Sequence, residues 1–263
     1  MVKPKKSLGQ HFLTDLGIAR RIADTLDTCP GLPVVEVGPG TGVLTQFILE
    51  AGRDLTGVEL DSESVQYLKA GHVPGLDPAR IVEADFLRLD LAALTGGRKC
   101  CLVGNYPYNI SSQIFFKVLD NRDLVTECSG MLQREVAERI CAGPGTKARG
   151  ILSVLLQVWY SCEYLFTVPE HVFNPPPKVK SGVIRLVRNT VTDPGCDFAL
   201  MRTVVKTTFG QRRKTIRNSA RPLLPPDTAF PPDCPLGAMR PEQLSVEQFV
   251  ELTNLIASLR ATR

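Results

Sequence analysis

The sequence predicts a Rossmann-like α/β domain with a mostly parallel sheet and a closing antiparallel hairpin, followed by a small all-helical C-terminal domain. The first observation behind this fold class is that strand-like and helix-like segments alternate through about two-thirds of the 263 residues. That pattern is typical of a parallel sheet with covering helices. The second is that the alternation stops near residue 189. We therefore expect one domain of residues 1–189 and a helical one of residues 190–263.

The predicted strands are short apolar runs, and the segments between them carry apolar residues at helical spacing. Strands are expected at residues 33–38, 54–60, 79–86, 99–105 and 127–133. Helices are expected at residues 41–52, 62–71, 110–121, 134–141 and 151–160. The closing hairpin is expected from residues 161–169 and 181–189, joined by a proline-rich loop.

Beyond residue 189 the sequence favours helices and lacks strand signals. Residues 197–210 and 212–220 predict helices, and the proline-rich residues 221–237 predict a connector without regular structure. Ser245 begins the sequence S-V-E-Q, which is a capping box. A last helix is therefore expected from Ser245 to about Arg260.

Composition excludes membrane and secreted proteins. No apolar run approaches the roughly 18–20 residues that a membrane span requires. The basic N-terminus lacks the apolar stretch and cleavage site of a signal peptide. Pro4 and Gly9 also interrupt any amphipathic transit helix. We therefore expect a cytoplasmic protein with no membrane partner.

The eight cysteines and three histidines do not predict a metal site. No two cysteines form a C-x-x-C pair, and the adjacent Cys100 and Cys101 would point to opposite faces of a strand. Reduced thiols and an enzyme without metal are the expectation.

Positive charge is concentrated in the predicted helical domain. Net charge is only +4, yet residues 198–226 contain no acidic residue. One interpretation is a solvated helix face, and the other is a surface for a polyanion, most simply nucleic acid. The N-terminal lysines, Lys3, Lys5 and Lys6, add to the second interpretation. The basic residues of the stretch are Arg202, Lys206, Arg212, Arg213, Lys214, Arg217 and Arg221.

The first predicted strand runs into the glycine turn E-V-G-P-G-T-G, which includes Gly38 and Gly40. A glycine turn between a strand and a helix lets backbone approach a nucleoside closely, although such turns also simply tighten strand–helix corners. The spacing is G-x-G-x-G and not the dinucleotide pattern G-x-G-x-x-G.

Acidic, aromatic and amide side chains stand at the ends of the following strands. Glu59 suits a ribose diol, because a carboxylate accepts hydrogen bonds from both hydroxyls. Asp85 suits an adenine amine, and Phe86 beside it offers a stacking face. Since the carboxyl ends of parallel strands meet at one edge, these residues should share a crevice with Gly38 and Asn105. The ordered set resembles the S-adenosyl-L-methionine pocket of class I methyltransferases.

The sequence N-Y-P-Y, from Asn105 through Tyr106 and Pro107 to Tyr108, follows the fourth predicted strand. It is similar to the N/D-P-P-Y motif of amino-group methyltransferases. An adenine amine is a poor nucleophile, because its lone pair is delocalised into the ring. The Asn105 amide oxygen and a backbone carbonyl beside Pro107 can accept hydrogen bonds from its N–H groups and direct its lone pair toward the methyl group. Tyr108 can then stack on the extruded base. The alternative is a tight turn at a strand end.

With these motifs the chain resembles the KsgA-type family of small-subunit rRNA adenine dimethyltransferases. The resemblance runs nearly end to end. The matching stretches are KKSLGQHFL, VVEVGPGTGVLT, VELD, EADFL, NYPYNISS, QREVAERI, FNPPPKVKSGVIRL and FGQRRKTIRNS.

The resemblance implies a two-domain, monomeric enzyme that uses S-adenosyl-L-methionine to dimethylate two adjacent adenines near the 3′ end of 16S rRNA, in the 30S subunit or its precursor. It also implies that His11 and Leu13 join the cofactor site and that Phe173 stacks on the target adenine opposite Tyr108. The rRNA would be held by the helical domain, through Arg212, Arg213, Lys214 and Arg217.

Three residues depart from the family pattern. His11 stands where asparagine is usual, Tyr106 where leucine is usual, and Lys180 near a usual acidic residue. His11 retains a hydrogen-bonding ring nitrogen. We expect Tyr106 to act through its backbone, so that its side chain matters little.

Two other functions stay open at the level of sequence. An Erm-type methyltransferase of 23S rRNA shares the fold and motif, but the long FGQRRKTIRNS segment favours the small-subunit enzyme. A ribosome-assembly checkpoint factor, for which methylation is secondary, is the alternative from a different class.

Overall fold

The structure is a computed structural model that describes residues 2–26 and 30–261. Packing of the chain divides it into two compact units. The first comprises Met1–Glu138 and Ser161–Arg188, and the second comprises Arg139–Tyr160 and Asn189–Arg263. No helix in these described ranges is long and apolar enough to cross a membrane.

Strands and helices alternate along the first unit, as the sequence predicts. The strands are β1 (Phe12–Leu13), β2 (Val34–Val37), β3 (Leu55–Glu59), β4 (Ile81–Glu83), β5 (Cys100–Asn105), β6 (Val125–Gln133), β7 (Tyr160–Val168), β8 (Phe173–Asn174) and β9 (Ser181–Arg188). The helices are α1 (Leu16–Ala23), α2 (Thr45–Glu50), α3 (Ser62–Lys69), α4 (Leu91–Thr95), α5 (Ser111–Asp120), α6 (Arg134–Cys141), α7 (Ile151–Gln157), α8 (Phe198–Gly210), α9 (Ile216–Ser219) and α10 (Val246–Ala261).

A seven-stranded sheet in the order β4-β3-β2-β5-β6-β9-β7 organises the first unit. β2 pairs in parallel with β3 and β5, β3 with β4, and β5 with β6. β9 is antiparallel to β6 and lies between β6 and β7. The predicted fold class, a mostly parallel Rossmann-like sheet with an antiparallel end, is confirmed.

β2 is buried along its whole length, and β5 is buried except at its last residue, Asn105. Val34, Val35, Leu102 and Val103 are at most 1% exposed. Continuous apolar runs of this kind are what parallel strands covered on both faces require. Because β2, β3, β4 and β5 are parallel, their carboxyl ends lie at one edge of the sheet, where the glycine turn and Asn105 are found.

Two elements near the N-terminus lie outside the predictions. Helix α1 begins after Asp15, whose side chain accepts from the Ile18 backbone N–H at 3.0 Å, and it buries Ala19 and Ile22. β1 and β8 form a two-stranded antiparallel sheet that pairs Leu13 with Phe173. Strands of two residues carry no periodicity, so sequence patterns do not reveal them.

The second unit takes in residues 139–160 as well as the C-terminal part of the chain. Trp159 packs edge-on against Phe198, with ring centroids 5.2 Å apart, and its carbonyl accepts from the Asn189 N–H at 2.9 Å. The boundaries of these two units differ from the domain boundary that the sequence predicts at residue 189. The division into a catalytic and an RNA-binding domain stays a prediction.

The second unit, called the helical unit from here on, agrees with the predicted secondary structure in some places and differs from it in others. The capping box is present, since Ser245 Oγ and Gln248 Oε1 each accept from the other residue's backbone N–H, at 3.2 and 2.9 Å. The helix predicted at residues 212–220 is reduced to α9, because Thr215 is extended. Among the described residues after Arg188 no strand occurs, as expected.

The prediction that residues 221–237 lack regular structure is wrong at both ends of that segment. Short 3-10 turns form at Arg221–Leu223 and Pro235–Ala238, each with proline at its start. Proline fixes φ near the helical value. Phe230 and Leu236 are buried, so the segment is a packed part of the unit.

Candidate active site and basic segment

A crevice opens at the carboxyl edge of the sheet, within the first unit. It encloses about 930 Å³ of space between protein atoms, including its opening to solvent. Most of the predicted active-site and cofactor residues line it. These are His11, Gly38, Gly40, Glu59, Asp85, Phe86, Asn105, Tyr106, Pro107 and Tyr108.

The glycine turn and Glu59 form one wall of the crevice. Glu59 is 5% exposed, and its two carboxylate oxygens accept from the backbone N–H groups of Gly40 and Asp61, each at 2.9 Å. Burial raises the pKa of Glu59, and these donors oppose that shift. Gly40 has φ +57°, and a Cβ there would lie 3.0 Å from the Phe12 ring. A side chain at position 40 would therefore crowd the Phe12 ring at the wall of the crevice.

The Glu59 wall fits the ribose of S-adenosyl-L-methionine. A carboxylate has about four acceptor positions, and the Glu59 side chain lines the crevice. Two adjacent hydroxyls can therefore be bound by one buried group. Leu60 follows Glu59 in the crevice and is 51% exposed. This leucine escaped the sequence analysis, although an apolar residue directly after a strand-end acid was the available signal.

The turn after β4 forms the next part of the crevice. Asp85 Oδ1 accepts from the Leu87 N–H at 2.9 Å, and its other oxygen lies 3.5 Å from Arg88 Nε. Phe86 is 4% exposed, so only an edge of the ring is open to the crevice. Lys117 Nζ lies 5.4 Å from the Phe86 ring centroid and donates to the Leu87 carbonyl at 3.2 Å. Lys117, which the sequence analysis missed, thus holds this turn from α5.

The N-Y-P-Y turn occupies the end of β5. Asn105 Nδ2 donates to the His11 carbonyl at 2.9 Å, and no partner for Asn105 Oδ1 exists among the residues that the structure describes. Pro107 O accepts from the Ile110 N–H at 3.2 Å, and its second lone pair remains. Tyr108 is half-buried, and its hydroxyl lies 2.5 Å from Ser181 Oγ. The turn therefore offers amide and carbonyl acceptors beside an aromatic face.

The N-terminal segment lines the crevice beside this turn. His11 Nδ1 lies 2.8 Å from the Pro175 carbonyl. Because a carbonyl only accepts, Nδ1 carries a proton. The ring lies 5.3 Å from that of Tyr108. Lys5, expected among the basic residues available to a polyanion, instead forms an ion pair with the buried Asp61, which raises the pKa of Lys5.

Leu13 and Phe173 are the two predicted site residues that the structure does not bring into the crevice wall. They pair across β1 and β8 and are 5% and 4% exposed, within the main apolar core. Leu13 lines a smaller cavity beneath the glycine turn, together with Glu36. The Phe173 ring is surrounded by core residues. Its stacking on a base stays a prediction that this arrangement does not support.

Glu36 is a second buried carboxyl beneath the glycine turn. It is 1% exposed, and burial raises its pKa to about 8. Thr45 Oγ1 donates to Glu36 Oε2 at 2.7 Å. At neutral pH this group is mainly protonated.

The four predicted RNA-binding residues divide into two pairs. Arg212 donates to the Lys147 carbonyl at 2.6 Å, and Arg217 to the Pro232 carbonyl at 2.7 Å. Both guanidinium groups thus hold parts of the helical unit together. Arg213 and Lys214 are exposed, and neither side chain has a partner in the described part of the chain. They are the charges available to an external anion.

The described cysteines and histidines show no arrangement for metal binding. In the described ranges, no group of three or more His, Cys, Asp or Glu side chains is placed to hold a metal ion. Seven cysteines are free thiols, and Cys100, Cys101 and Cys128 among them are buried. Cys29 lies outside the described residues.

A family model described as "Ribosomal RNA adenine dimethylase" matches residues 1–258. The chain belongs to this family. It is therefore an S-adenosyl-L-methionine-dependent methyltransferase that acts on ribosomal RNA. The fold, the crevice and the N-Y-P-Y turn described above are the structural basis of that membership.

Several relatives are highly similar over nearly their whole length. The chain is 65% identical to a "Ribosomal RNA small subunit methyltransferase A" of Parabacteroides distasonis, covering 96% of this chain and 94% of the relative. It is 60% identical to the protein of the same name in Phocaeicola vulgatus, covering 97% and 90%.

Solved structures show the same fold. A dimethyladenosine transferase from Plasmodium falciparum aligns with a TM-score of 0.75 at 22% identity, over 92% of this chain and 96% of that one. The 23S rRNA methyltransferase ErmE aligns with a TM-score of 0.67 at 25% identity, over 92% and 99%.

The Glu59 wall can be tested by cofactor binding. We expect the isolated chain to bind S-adenosyl-L-methionine in calorimetry with EDTA present, and Glu59→Ala to weaken binding by about 1.5–3 kcal/mol, the scale of charge-assisted hydrogen bonds. Glu83→Ala is the matched control, because Glu83 is an exposed acid at the end of β4. Loss of wild-type binding in EDTA, or equal binding by both variants, would contradict the assignment.

The two pairs of basic residues should respond differently to substitution. If Arg213 and Lys214 bind rRNA phosphates, replacing both with glutamine should lower affinity for 30S particles. It should also flatten the slope of log K against log salt by about 1.5, since each contact contributes roughly 0.7–0.9. Arg212→Gln should mainly lower the unfolding temperature, because it removes a bond within the helical unit. Cofactor affinity serves as the control and should not change. Equal slopes of log K against log salt for wild type and double variant would instead indicate that Arg213 and Lys214 are solvated surface charges that do not contact rRNA.

Proposed function

We propose that this chain transfers two methyl groups to N6 of each of two adjacent adenines near the 3′ end of 16S rRNA, in the 30S subunit or its precursor. The observation that carries the proposal is the N-Y-P-Y turn, where Asn105 lines the crevice and its Oδ1 has no partner among the described residues. The names of the highly similar relatives support the small subunit as the source of the substrate.

The crevice supports direct transfer with no covalent enzyme intermediate. When bound, S-adenosyl-L-methionine supplies a methyl group on a positively charged sulfur. Asn105 Oδ1 and the Pro107 carbonyl accept hydrogen bonds from the two N6–H groups of adenine, which favours a pyramidal nitrogen and directs its lone pair away from the ring. Proline at this position adds no competing N–H donor. The rate enhancement then comes from positioning and from fixed dipoles.

Recognition of the base depends on Tyr108. An adenine in a structured RNA must leave its stack before an enzyme can reach N6, and an aromatic face compensates for part of the lost stacking. Tyr108 is held at its hydroxyl by Ser181 and lies beside His11. The ring is therefore fixed in orientation before the base arrives.

The partner and compartment follow from the substrate. Arg213 and Lys214 bind rRNA phosphates and supply affinity without sequence information. We also propose that the enzyme is monomeric. Because ribosomal subunits are assembled in the bacterial cytoplasm, the enzyme works there.

The nearest alternative is methylation of 23S rRNA. ErmE has the same fold, but it is only 25% identical to this chain, whereas relatives named for the small subunit reach 65%. That difference favours 16S rRNA. A role as an assembly checkpoint factor is compatible with the enzyme, but an intact N-Y-P-Y turn does not favour it as the sole function.

Mass spectrometry of rRNA from cells lacking this gene tests the proposal. We expect dimethyladenosine to disappear from the 16S rRNA and to return when the wild-type gene is restored. Restoring an Asn105→Ala gene is the matched control for a separate assembly role. Loss of the modification from 23S rRNA alone would overturn the proposal.

Asn105→Ala should reduce methyl transfer far more than it reduces RNA binding. Removing one group that acts on the reacting atom costs roughly 100-fold or more in turnover, whereas RNA affinity comes mainly from phosphate contacts elsewhere. The measurements are transfer of a tritiated methyl group and binding to 30S particles. Asn254→Ala, which removes an exposed side-chain bond to the Gly195 carbonyl in the helical unit, is the control. Near-normal turnover of Asn105→Ala would refute the role given to its amide.

A further inference from the structure

Tyr106 differs from its neighbours in the N-Y-P-Y turn because its side chain is buried. It is 1% exposed, whereas Asn105, Pro107 and Tyr108 are half-buried. Its hydroxyl donates to the Ser129 carbonyl at 2.7 Å, and its backbone N–H donates to the Met131 carbonyl at 2.9 Å. The residue is thus bound to β6 through both its main chain and the far end of its side chain.

The acceptor of that hydroxyl is itself held in place. Ser129 Oγ donates to the Ile184 carbonyl on β9 at 3.0 Å, and it lies 2.5 Å from Thr25 Oγ1. β6 at this point is therefore fixed to the neighbouring strand and to the segment after α1. Burial raises the pKa of Tyr106 well above its ordinary value, so the hydroxyl remains a donor at any physiological pH.

The ring is enclosed as closely as the hydroxyl. A Cβ added at Gly130 would lie 2.7 Å from Tyr106 Cε2, and one added at Gly104 would lie 3.1 Å from Cε1. Phe115 packs edge-on, with ring centroids 5.6 Å apart. The ring therefore fills space that glycine at both positions leaves open, and it has no room for a second orientation.

We infer that Tyr106 is a positioning residue whose hydroxyl, bound to the Ser129 carbonyl, sets where Asn105 and Pro107 present their acceptors to the target amine. This inference rests on the proposed function for the identity of that amine. It replaces the expectation that the Tyr106 side chain matters little. Tyr106 itself touches no reacting atom, and it acts through the residues on either side.

The second methyl transfer should depend on this anchor more than the first. An unmodified adenine amine has two N–H groups, so two acceptors orient it. After the first transfer one proton has been replaced by a methyl group, and a single N–H remains to orient the nitrogen. A turn that moves by a few tenths of an ångström can then still support the first transfer but orients the second poorly.

The test is Tyr106→Phe, which keeps the ring and removes only the hydroxyl. On 30S particles lacking the modification, we expect turnover to fall by roughly 5-fold, the effect of one buried neutral hydrogen bond, and the singly methylated fraction of adenine to rise. Affinity for S-adenosyl-L-methionine should stay within about twofold of wild type, because the Glu59 wall is untouched. Hydrogen exchange at the amide of residue 106 should become faster, and this readout needs no substrate.

Tyr160→Phe is the matched control, because Tyr160 is also 1% exposed but belongs to the helical unit. Compared at equal total methyl incorporation, it should leave the ratio of singly to doubly methylated adenine at the wild-type value, whereas Tyr106→Phe should raise that ratio. A Tyr106→Phe enzyme with the wild-type product ratio and wild-type amide exchange would overturn the inference. A wild-type enzyme that makes no dimethyladenosine would instead refute the proposed function, and the exchange measurement would still decide whether the hydroxyl anchors the turn.

Discussion

The carboxylate of Glu59 connects the parts of the crevice more than any other group does. Its oxygens bind the N–H of Gly40, in the turn after β2, and the N–H of Asp61, after β3. Asp61 in turn holds Lys5, and the segment that follows Lys5 lines the crevice as far as His11, whose carbonyl binds the Asn105 amide. These contacts and the backbone from Lys5 to His11 thus join Glu59 to the N-Y-P-Y turn.

Burying a carboxylate costs free energy unless its oxygens accept hydrogen bonds. Two carboxyls of this site, Glu36 and Glu59, differ in that respect. Glu36 and Glu59 end or nearly end adjacent strands. Glu36 has one hydroxyl donor and is buried, so burial raises its pKa to about 8 and keeps it mainly neutral at pH 7. Glu59 has backbone donors at both oxygens, which oppose the same effect. Two identical side chains in one site therefore differ in how far hydrogen bonds oppose the effect of burial on their pKa.

The sequence predicts this site well where it depends on strand ends and poorly where it depends on distant contacts. Gly38, Glu59, Asp85 and Asn105 could be grouped because parallel strands end at one edge, a property of the fold and not of any particular side chain. The contact of His11 with Pro175 joins segments far apart in the chain. No periodicity encodes such a contact, and the short strands β1 and β8 that bring these segments together carry no pattern of their own. Burial of Phe173 was missed for the same reason: a motif identifies a loop but does not state which of its side chains the core requires.

Residues of the same type within one short motif also have different roles, and only their contacts distinguish those roles. In Q-R-R-K, Arg212 binds a backbone carbonyl of its own unit, whereas the adjacent Arg213 has no partner in the described chain. In N-Y-P-Y, one tyrosine is buried against β6 and the other faces the crevice. In both runs one residue makes contacts inside the protein, and a residue one or two positions away is exposed to solvent or to the crevice. The first kind of residue satisfies its polar atoms inside the protein, so its partners are fixed by the fold. A substitution there therefore acts through geometry, and a substitution at the exposed residue acts through direct contact, even though the two are only one or two positions apart in the sequence.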